Sequence, residues 1–244
     1  MMNEVLQTIH KRKSVRVFEQ REIAAEDREK ILLAAVAAPT AGNQQLYTIL
    51  DITDRSLLNQ LALSCDNQPF IASAPLALIF CADQQKWLDA YRAGGCSPRA
   101  PGPGDLMLAV ADACIAAQNA VIAAQSLGIG SCYIGDIMER CEEHREMLQL
   151  PEYVFPTVML VFGYPTPQQL ARPKPERSAL EHIVHENRYR RMNAEQLSDM
   201  LCGNREDWEF GPWIQAFCQR KYNSDFSVEM SRSVRKYLEA FGMH

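Results

Sequence analysis

The residues that decide the architecture are DLMLAVADACIAAQNAVIAAQSL, positions 105 to 127, followed by GIGSCYIG, positions 128 to 135. Asp105 is a helix-capping residue type, and Ala, Val, Ile and Leu surround most of the following turns, so a long, central, buried helix is expected from Asp105 to about Leu127. Asp112, Gln118 and Asn119 interrupt the apolar run, which therefore reads as a buried soluble helix and not as a membrane span. Gly128 supplies its stop. A Gly-Ile-Gly turn then leads into a short strand, Ser131 to Ile134. This order, helix then glycines then strand, is the reverse of a dinucleotide-binding βα turn, where the glycines follow a strand and open a helix.

Working outward, Leu76 to Cys81 and Thr157 to Phe162 are short continuous apolar runs, as expected of strands buried on both faces. Tyr47 to Ile52 is a further strand. Toward the N-terminus, Asn3 caps a helix with Val5, Leu6 and Ile9 on one face, and Glu26 to Ala38 is a helix with Ile31, Leu32, Ala35 and Val36 on its apolar face, closed by Pro39. Glu139 to Leu148 is helical. Residues 98 to 104 and 168 to 177 are rich in proline or polar residues and read as loops. Helices around 194–201, 207–221 and 227–241 end the chain, separated by Gly203 and by Phe210-Gly211-Pro212. The pattern is α+β: a sheet of about four strong strands with helices around it. Residues 1–192 read as the main domain and 193–244 as a helical extension packed on it.

The chain has 244 residues, of which 47% are hydrophobic, and a formal net charge of −5, so it can bury a core without metals or disulfides and lacks the basic surface a nucleic-acid binder needs. The basic cluster Arg188, Arg190, Arg191 reads as a solvated turn. None of the eight cysteines forms a Cys-x-x-Cys pair, and several, Cys81 and Cys114 among them, lie in apolar runs. Reduced, buried thiols in the cytoplasm are expected, with no metal site. No leader sequence is evident at Met1-Met2-Asn3-Glu4.

Four segments carry candidate chemistry. In Arg12-Lys13-Ser14-Val15-Arg16, an extended backbone puts Arg12, Ser14 and Arg16 on one side, with Val15 and Val17 toward the core. Two guanidinium forks around a hydroxyl suit a phosphate or polyol phosphate; the alternative is a solvated basic turn. The loop Arg172-Pro173-Lys174-Pro175-Glu176-Arg177 is either a second source of cations for an anion or a charged surface loop. In Gly128–Gly135 the glycines let a flat ring approach the backbone or simply make a turn and bulge. Thr40-Ala41-Gly42-Asn43-Gln44 leaves space and offers amides to a ring edge, or ends a helix.

Taken in order and spacing, these segments resemble the FMN-dependent nitroreductase family. The set runs from Arg12-Lys13-Ser14-Val15-Arg16 through Ala38–Gln45, Gln68-Pro69-Phe70, Ala74-Pro75, Leu127–Gly135 and Phe162-Gly163-Tyr164-Pro165 to Lys174, Arg177 and Val184-His185-Glu186-Asn187, covering about residues 3 to 190. The resemblance implies an α+β fold with a mixed sheet wrapped by helices, and an intertwined homodimer with FMN at the interface. By the same token Arg12, Lys13, Ser14 and Arg16 hold the phosphate and ribityl chain, and Lys174 and Arg177 reach the phosphate. Thr40, Ala41, Gly42 and Asn43 come from the partner subunit, Gln68 hydrogen-bonds the flavin, and Tyr133, Ile134, Gly135 and Asp136 line the ring. Relatives often have a glycine or glutamate where Asp136 stands; a carboxylate there disfavours the reduced, anionic ring.

The activity so implied is ping-pong hydride transfer from NADPH or NADH to a small oxidised acceptor: a nitroaromatic, a quinone or a free flavin. The cofactor carries the chemistry, so no side chain is required as acid or base. Two alternatives stay open: a flavin-binding sensor or storage protein without turnover, and a reductive dehalogenase-like relative. The latter needs a lid over a zwitterionic substrate. The loop from Gly94 to Gly104 is placed to be one, but the sequence shows no obvious carboxylate–cation pair in it.

Overall fold

The computed structural model describes residues 2–202 and 209–243. In chain order the elements are α1 (Glu4–Lys11), α2 (Ala25–Val36), β1 (Tyr47–Asp51), α3 (Arg55–Ser64), α4 (Pro69–Ala72), β2 (Leu76–Asp83), α5 (Gln85–Ala93), α6 (Pro103–Ser126), β3 (Gly130–Ile134), α7 (Cys141–Met147), β4 (Val154–Gly163), α8 (Pro167–Ala171), α9 (Leu180–Ile183), α10 (Ala194–Cys202), α11 (Phe210–Lys221) and α12 (Asp225–Leu238). The α+β class is as expected. Residues 2–173 and 229–243 form one compact unit, and residues 174–202 and 209–228 form a second. The expected break at Gly203 and the first residues of the helix from 207 lie outside the described residues.

The strands form one sheet in the order β1-β2-β4-β3. All three strand pairs are antiparallel, which refines the expected mixed sheet. A parallel pairing is added by an isolated bridge from Ser14 to Ser131 on the outer edge of β3. An exposed edge is a template for unwanted pairing, and the Arg12–Arg16 segment covers this one.

Both faces of the sheet are covered, which is why β2 and β4 are buried along their whole length despite antiparallel pairing. Leu78, Phe80, Leu160 and Phe162 pack with Ile31 and Ala35 of α2 and Ala113, Ala117 and Val121 of α6. Ala77, Ile79, Cys81, Met159 and Val161 pack on the other face with Leu58 and Leu61 of α3, and with Tyr237 and Phe241 near the C-terminus. Phe155 meets Tyr237 edge-on at 5.1 Å, and Tyr153 meets Phe241 at 5.4 Å. The segment from Glu229 is thus core structure, with Ser233 bridging the Met138 carbonyl and the Cys141 amide.

Helix α6 is long and apolar enough by composition to cross a membrane, but one face of it is buried on the sheet and α2. Its cap is Gly102, with Asp105 at the third helical position accepting from the Gly102 amide at 2.7 Å. It is not buried all round: Met107, Cys114 and Ile115 are exposed, so Cys114 departs from the expected buried thiols. Cys81 does not; burial pushes its thiol up to about 12. Helix α7 starts at Cys141, two residues later than expected, because Arg140 adopts a left-handed conformation (φ 49°). The expected loop after 167 begins as α8, since Thr166 caps it and Pro167 fits its first turn.

Candidate functional site

The bridge at Ser14 decides where the first basic segment lies. Val15 donates its amide to the Ser131 carbonyl at 2.9 Å, and its side chain fills the space above Gly130. A Cβ on Gly130 would lie 2.6 Å from Val15 Cγ2. The absent side chain of Gly130 thus admits Val15, not a flat ring. Gly163 plays the same part for Phe18, whose ring a Cβ would approach to 2.6 Å. The alternation expected through Val17 fails: Val17 is exposed and Phe18 is buried. The segment is held by single bridges at Ser14 and Phe18, so no continuous strand imposes a period of two.

Arg12, Ser14 and Arg16 nonetheless converge. Burial raises the Cys132 thiol of β3, and Arg16, Arg12 and the Ser14 hydroxyl pull it down, so all three bear on one buried atom. The Arg12 guanidinium lies 6.0 Å from the centroid of the Tyr133 ring. Burial, offset in part by Arg12, pushes the Tyr133 phenol up to about 12; the phenol donates to Gln118 Oε1 at 3.1 Å. Arg12 Nε is buried without a hydrogen-bond partner. A buried guanidinium donor left unmatched is costly, and a phosphate or polyol oxygen would satisfy it.

The segment is clamped from α8. Lys13 Nζ donates to the carbonyls of Leu170, at 2.7 Å, and Arg172. Arg172 in turn donates to the Ser14 carbonyl, and Arg16 N donates to Gln169 Oε1 at 3.3 Å. Lys13, expected at the phosphate, holds two carbonyls here. Sequence reasoning gave Gln169 no role and offered Arg172 only as a surface or anion-binding cation; its part in the clamp was not foreseen. Lys174 and Arg177 belong to the second unit, where Arg177 lines a cavity with Glu176, His182 and Asp199.

The Thr40–Asn43 loop is organised by Asp112. This carboxylate is buried in α6 and accepts from the Thr40 hydroxyl, from Ala41 N at 3.0 Å and from Leu46 N at 3.1 Å. Gly42 and Asn43 are exposed and left-handed (φ 56° and 57°). Gln44 anchors the far end through its carbonyl, which accepts from the Trp87 indole at 2.8 Å. Asp112 stood out in the sequence as an interruption of an apolar run, a signal of an interior carboxylate held by hydrogen bonds that was read only as evidence against a membrane span.

Gln68 caps α4 and donates to the Cys65 carbonyl at 2.9 Å. Ile134 is buried, while Gly135 and Asp136 are half-buried at the start of a 3-10 turn, Asp136–Met138. Just beyond lies Glu139, which was not singled out in the sequence. It is buried, with Oε1 lacking a partner, and burial together with Asp136, Asp66 and Glu229 raises its carboxyl to about 7. His144, on a Glu-rich helix, is fully buried between the Ile137 carbonyl and the Ser64 hydroxyl, where burial lowers its imidazole. Arg232 pairs internally with Glu142 and Glu229, and Lys236 with Glu239. Among the described residues no group of metal-ligating side chains occurs.

An antiparallel sheet packed on a long helix, with a clamped arginine–serine–arginine edge segment beside an aromatic strand end, defines an α+β domain with a candidate anion site at that edge. Comparison with known proteins makes the class specific. Residues 9–164 match the model of the nitroreductase family. The chain is 32% identical over 190 residues to an FMN reductase (NADPH) of Bacillus subtilis, covering 77% of this chain and 75% of that protein. It is 32% identical over 198 residues to an oxygen-insensitive NADPH nitroreductase of Salmonella typhimurium, covering 81% and 79%. The solved structure of B. megaterium NfrA2 superposes with a TM-score of 0.82 at 29% identity, covering 99% of this chain and 98% of that one. The chain belongs to the nitroreductase family.

Proposed function

We propose that the protein is an FMN-dependent NAD(P)H oxidoreductase that reduces nitroaromatics, quinones or flavins. The observation that carries this reading is the partnerless, buried Arg12 Nε within the Arg12–Ser14–Arg16 cluster beside Tyr133. The relatives named for FMN and NADPH supply the cofactor class. Arg12, Ser14 and Arg16 would hold the phosphate and ribityl oxygens. Lys13 and Arg172 keep that segment in place. Gln68, Tyr133, Ile134, Gly135 and Asp136 would surround the ring. The chemistry such a group supplies is hydride uptake from NADPH or NADH and hydride delivery to an acceptor, in ping-pong order.

A homodimer completes the proposal. In this chain Val5, Leu6 and Ile9 of α1, Leu33 and Val36 of α2, and Met107 and Ile115 of α6 expose apolar area that a second copy would cover. The dimer brings Thr40, Ala41, Gly42 and Asn43 to the partner's flavin. We place the enzyme in the cytoplasm, where its eight unpaired thiols stay reduced.

The test is the absorption spectrum of purified protein, followed by anaerobic mixing with NADPH or NADH. Flavin absorbance that bleaches within the turnover time supports the reading. A yellow protein that neither nicotinamide bleaches would show a flavin-binding protein without turnover, and a colourless protein that fails to take up FMN would remove the flavin altogether.

A further inference from the structure

The loop from Gly94 to Gly104 roofs a cavity of about 250 Å³ lined by Gln44, Trp87, Leu88, Tyr91, Pro98 and Arg99, among others. Its wall is one face of α5, where Trp87 and Tyr91 are a helical turn apart, with ring centroids 5.6 Å apart and planes tilted by 43°. The indole is fixed by its bond to the Gln44 carbonyl. Gln84, also on the lining, donates to the Asp105 carbonyl at 2.7 Å, which ties the wall to the start of α6. The loop is latched: Arg99 grips Asp105 through two bonds of 2.6 and 3.0 Å, a carboxylate–cation pair that sequence inspection did not reveal. That pair is satisfied internally, so the rim offers no free charge to a zwitterion.

We propose that this cavity binds a neutral, planar aromatic molecule of one or two fused rings, stacked on Trp87 and Tyr91 with a carbonyl or nitro oxygen at the Gln44 amide. The aromatic pair forms one side of the cavity, and Gln44, Gln84, Arg99 and Asp105 make much of the rest of its lining polar, a mixture that suits a flat ring carrying a polar substituent. Drug-sized ligands occupy pockets of roughly 300–1,000 Å³, so 250 Å³ suits a small ring system and is too small for a nicotinamide dinucleotide. Gln44 directly follows the Thr40–Asn43 loop, so the ligand would sit beside the segment assigned to the flavin of the other subunit. The proposal deepens the functional reading: the cavity selects the aromatic acceptor and leaves the reduced nicotinamide outside.

The experiment titrates coumarin, a neutral two-ring lactone, into the FMN-loaded protein by calorimetry, which needs no turnover. One-site binding is expected in the wild type. Trp87→Leu weakens it at least tenfold, Tyr91→Ala severalfold, and Trp87→Phe no more than about threefold. The KM for 1,4-naphthoquinone rises in parallel in Trp87→Leu while the KM for NADPH stays within twofold. Naphthalene-2-sulfonate, of similar size but anionic, binds at least tenfold more weakly than coumarin. If Trp87→Leu does not fold, Tyr91→Ala carries the test. No coumarin binding in the wild type, or affinity indifferent to these substitutions, overturns the proposal. Failure of NADPH to bleach the protein would instead overturn the oxidoreductase reading and leave coumarin binding standing.

Discussion

Replacing Asp112 by alanine removes the acceptor for two backbone amides and a hydroxyl at once. Ala41 N and Leu46 N donate at 3.0 and 3.1 Å, and Thr40 donates its hydroxyl while accepting from Gln45 N at 2.8 Å. An interior donor left unsatisfied costs about 1–3 kcal/mol. Water reaches the exposed end of the loop, so the total for Asp112→Ala is about 3–5 kcal/mol, with about 1–3 kcal/mol for Asp112→Asn, which keeps one acceptor oxygen. In urea, with a slope of about 2–3 kcal/mol per molar, the alanine variant's midpoint falls by roughly 1–2.5 M and the asparagine variant's by less. Because the same bonds shape Thr40–Asn43, both variants also release flavin more readily, in the order Ala over Asn. An alanine variant whose midpoint and flavin retention match the wild type would refute the view that this carboxylate organises the loop.

Gly130→Ala drives a Cβ to within 2.6 Å of Val15; overpacking of this kind costs about 1–3 kcal/mol, and FMN affinity falls with it because Ser14 moves. Gly104→Ala, with nothing within 4 Å of the added atom, is the control and gains up to about 1 kcal/mol in the same denaturation assay. Glu139, with its carboxyl raised to about 7 by burial and by Asp136, Asp66 and Glu229 against Arg140, binds its proton more tightly folded than unfolded. Its contribution is therefore present at pH 4 and lost as pH rises through about 7, a fall of up to about 3 kcal/mol. Glu139→Gln flattens that fall in urea titrations at pH 5 and pH 8; an unaltered pH profile would contradict it. Lys13→Met loses the bonds to Leu170 and Arg172, costing about 1 kcal/mol and weakening FMN binding without removing a phosphate ligand. Affinity equal to wild type would show that the clamp is dispensable.

How much of this was legible follows the range of the interactions. Strands β2 and β4 and helix α6 announce themselves as uninterrupted apolar runs, because each is buried against two neighbours or along most of one face. Helix α3 has no counterpart in the sequence reading, although Asp54 caps it and Leu58, Leu61 and Ala62 recur at helical spacing. Helix α5 buries only Leu88, so its periodicity is faint, and its aromatic pair reads as scattered surface. At the site, Arg12, Ser14 and Arg16 are found by alternation, a local rule. The Lys13 and Arg172 clamp joins positions more than 150 residues apart, which no local rule reaches. The sheet order and the role of Gly130 are hidden for the same reason: each depends on which distant segment comes alongside.

The most direct measurement is FMN binding to flavin-free protein, followed by fluorescence quenching, in the wild type, Arg12→Ala and Arg12→Lys. Loss of a charge-assisted contact of about 1.5–3 kcal/mol predicts affinity roughly 10- to 100-fold weaker in Arg12→Ala, with Arg12→Lys recovering only part of it. Wild-type protein that does not take up FMN, or an alanine variant that binds it as tightly, would contradict the account.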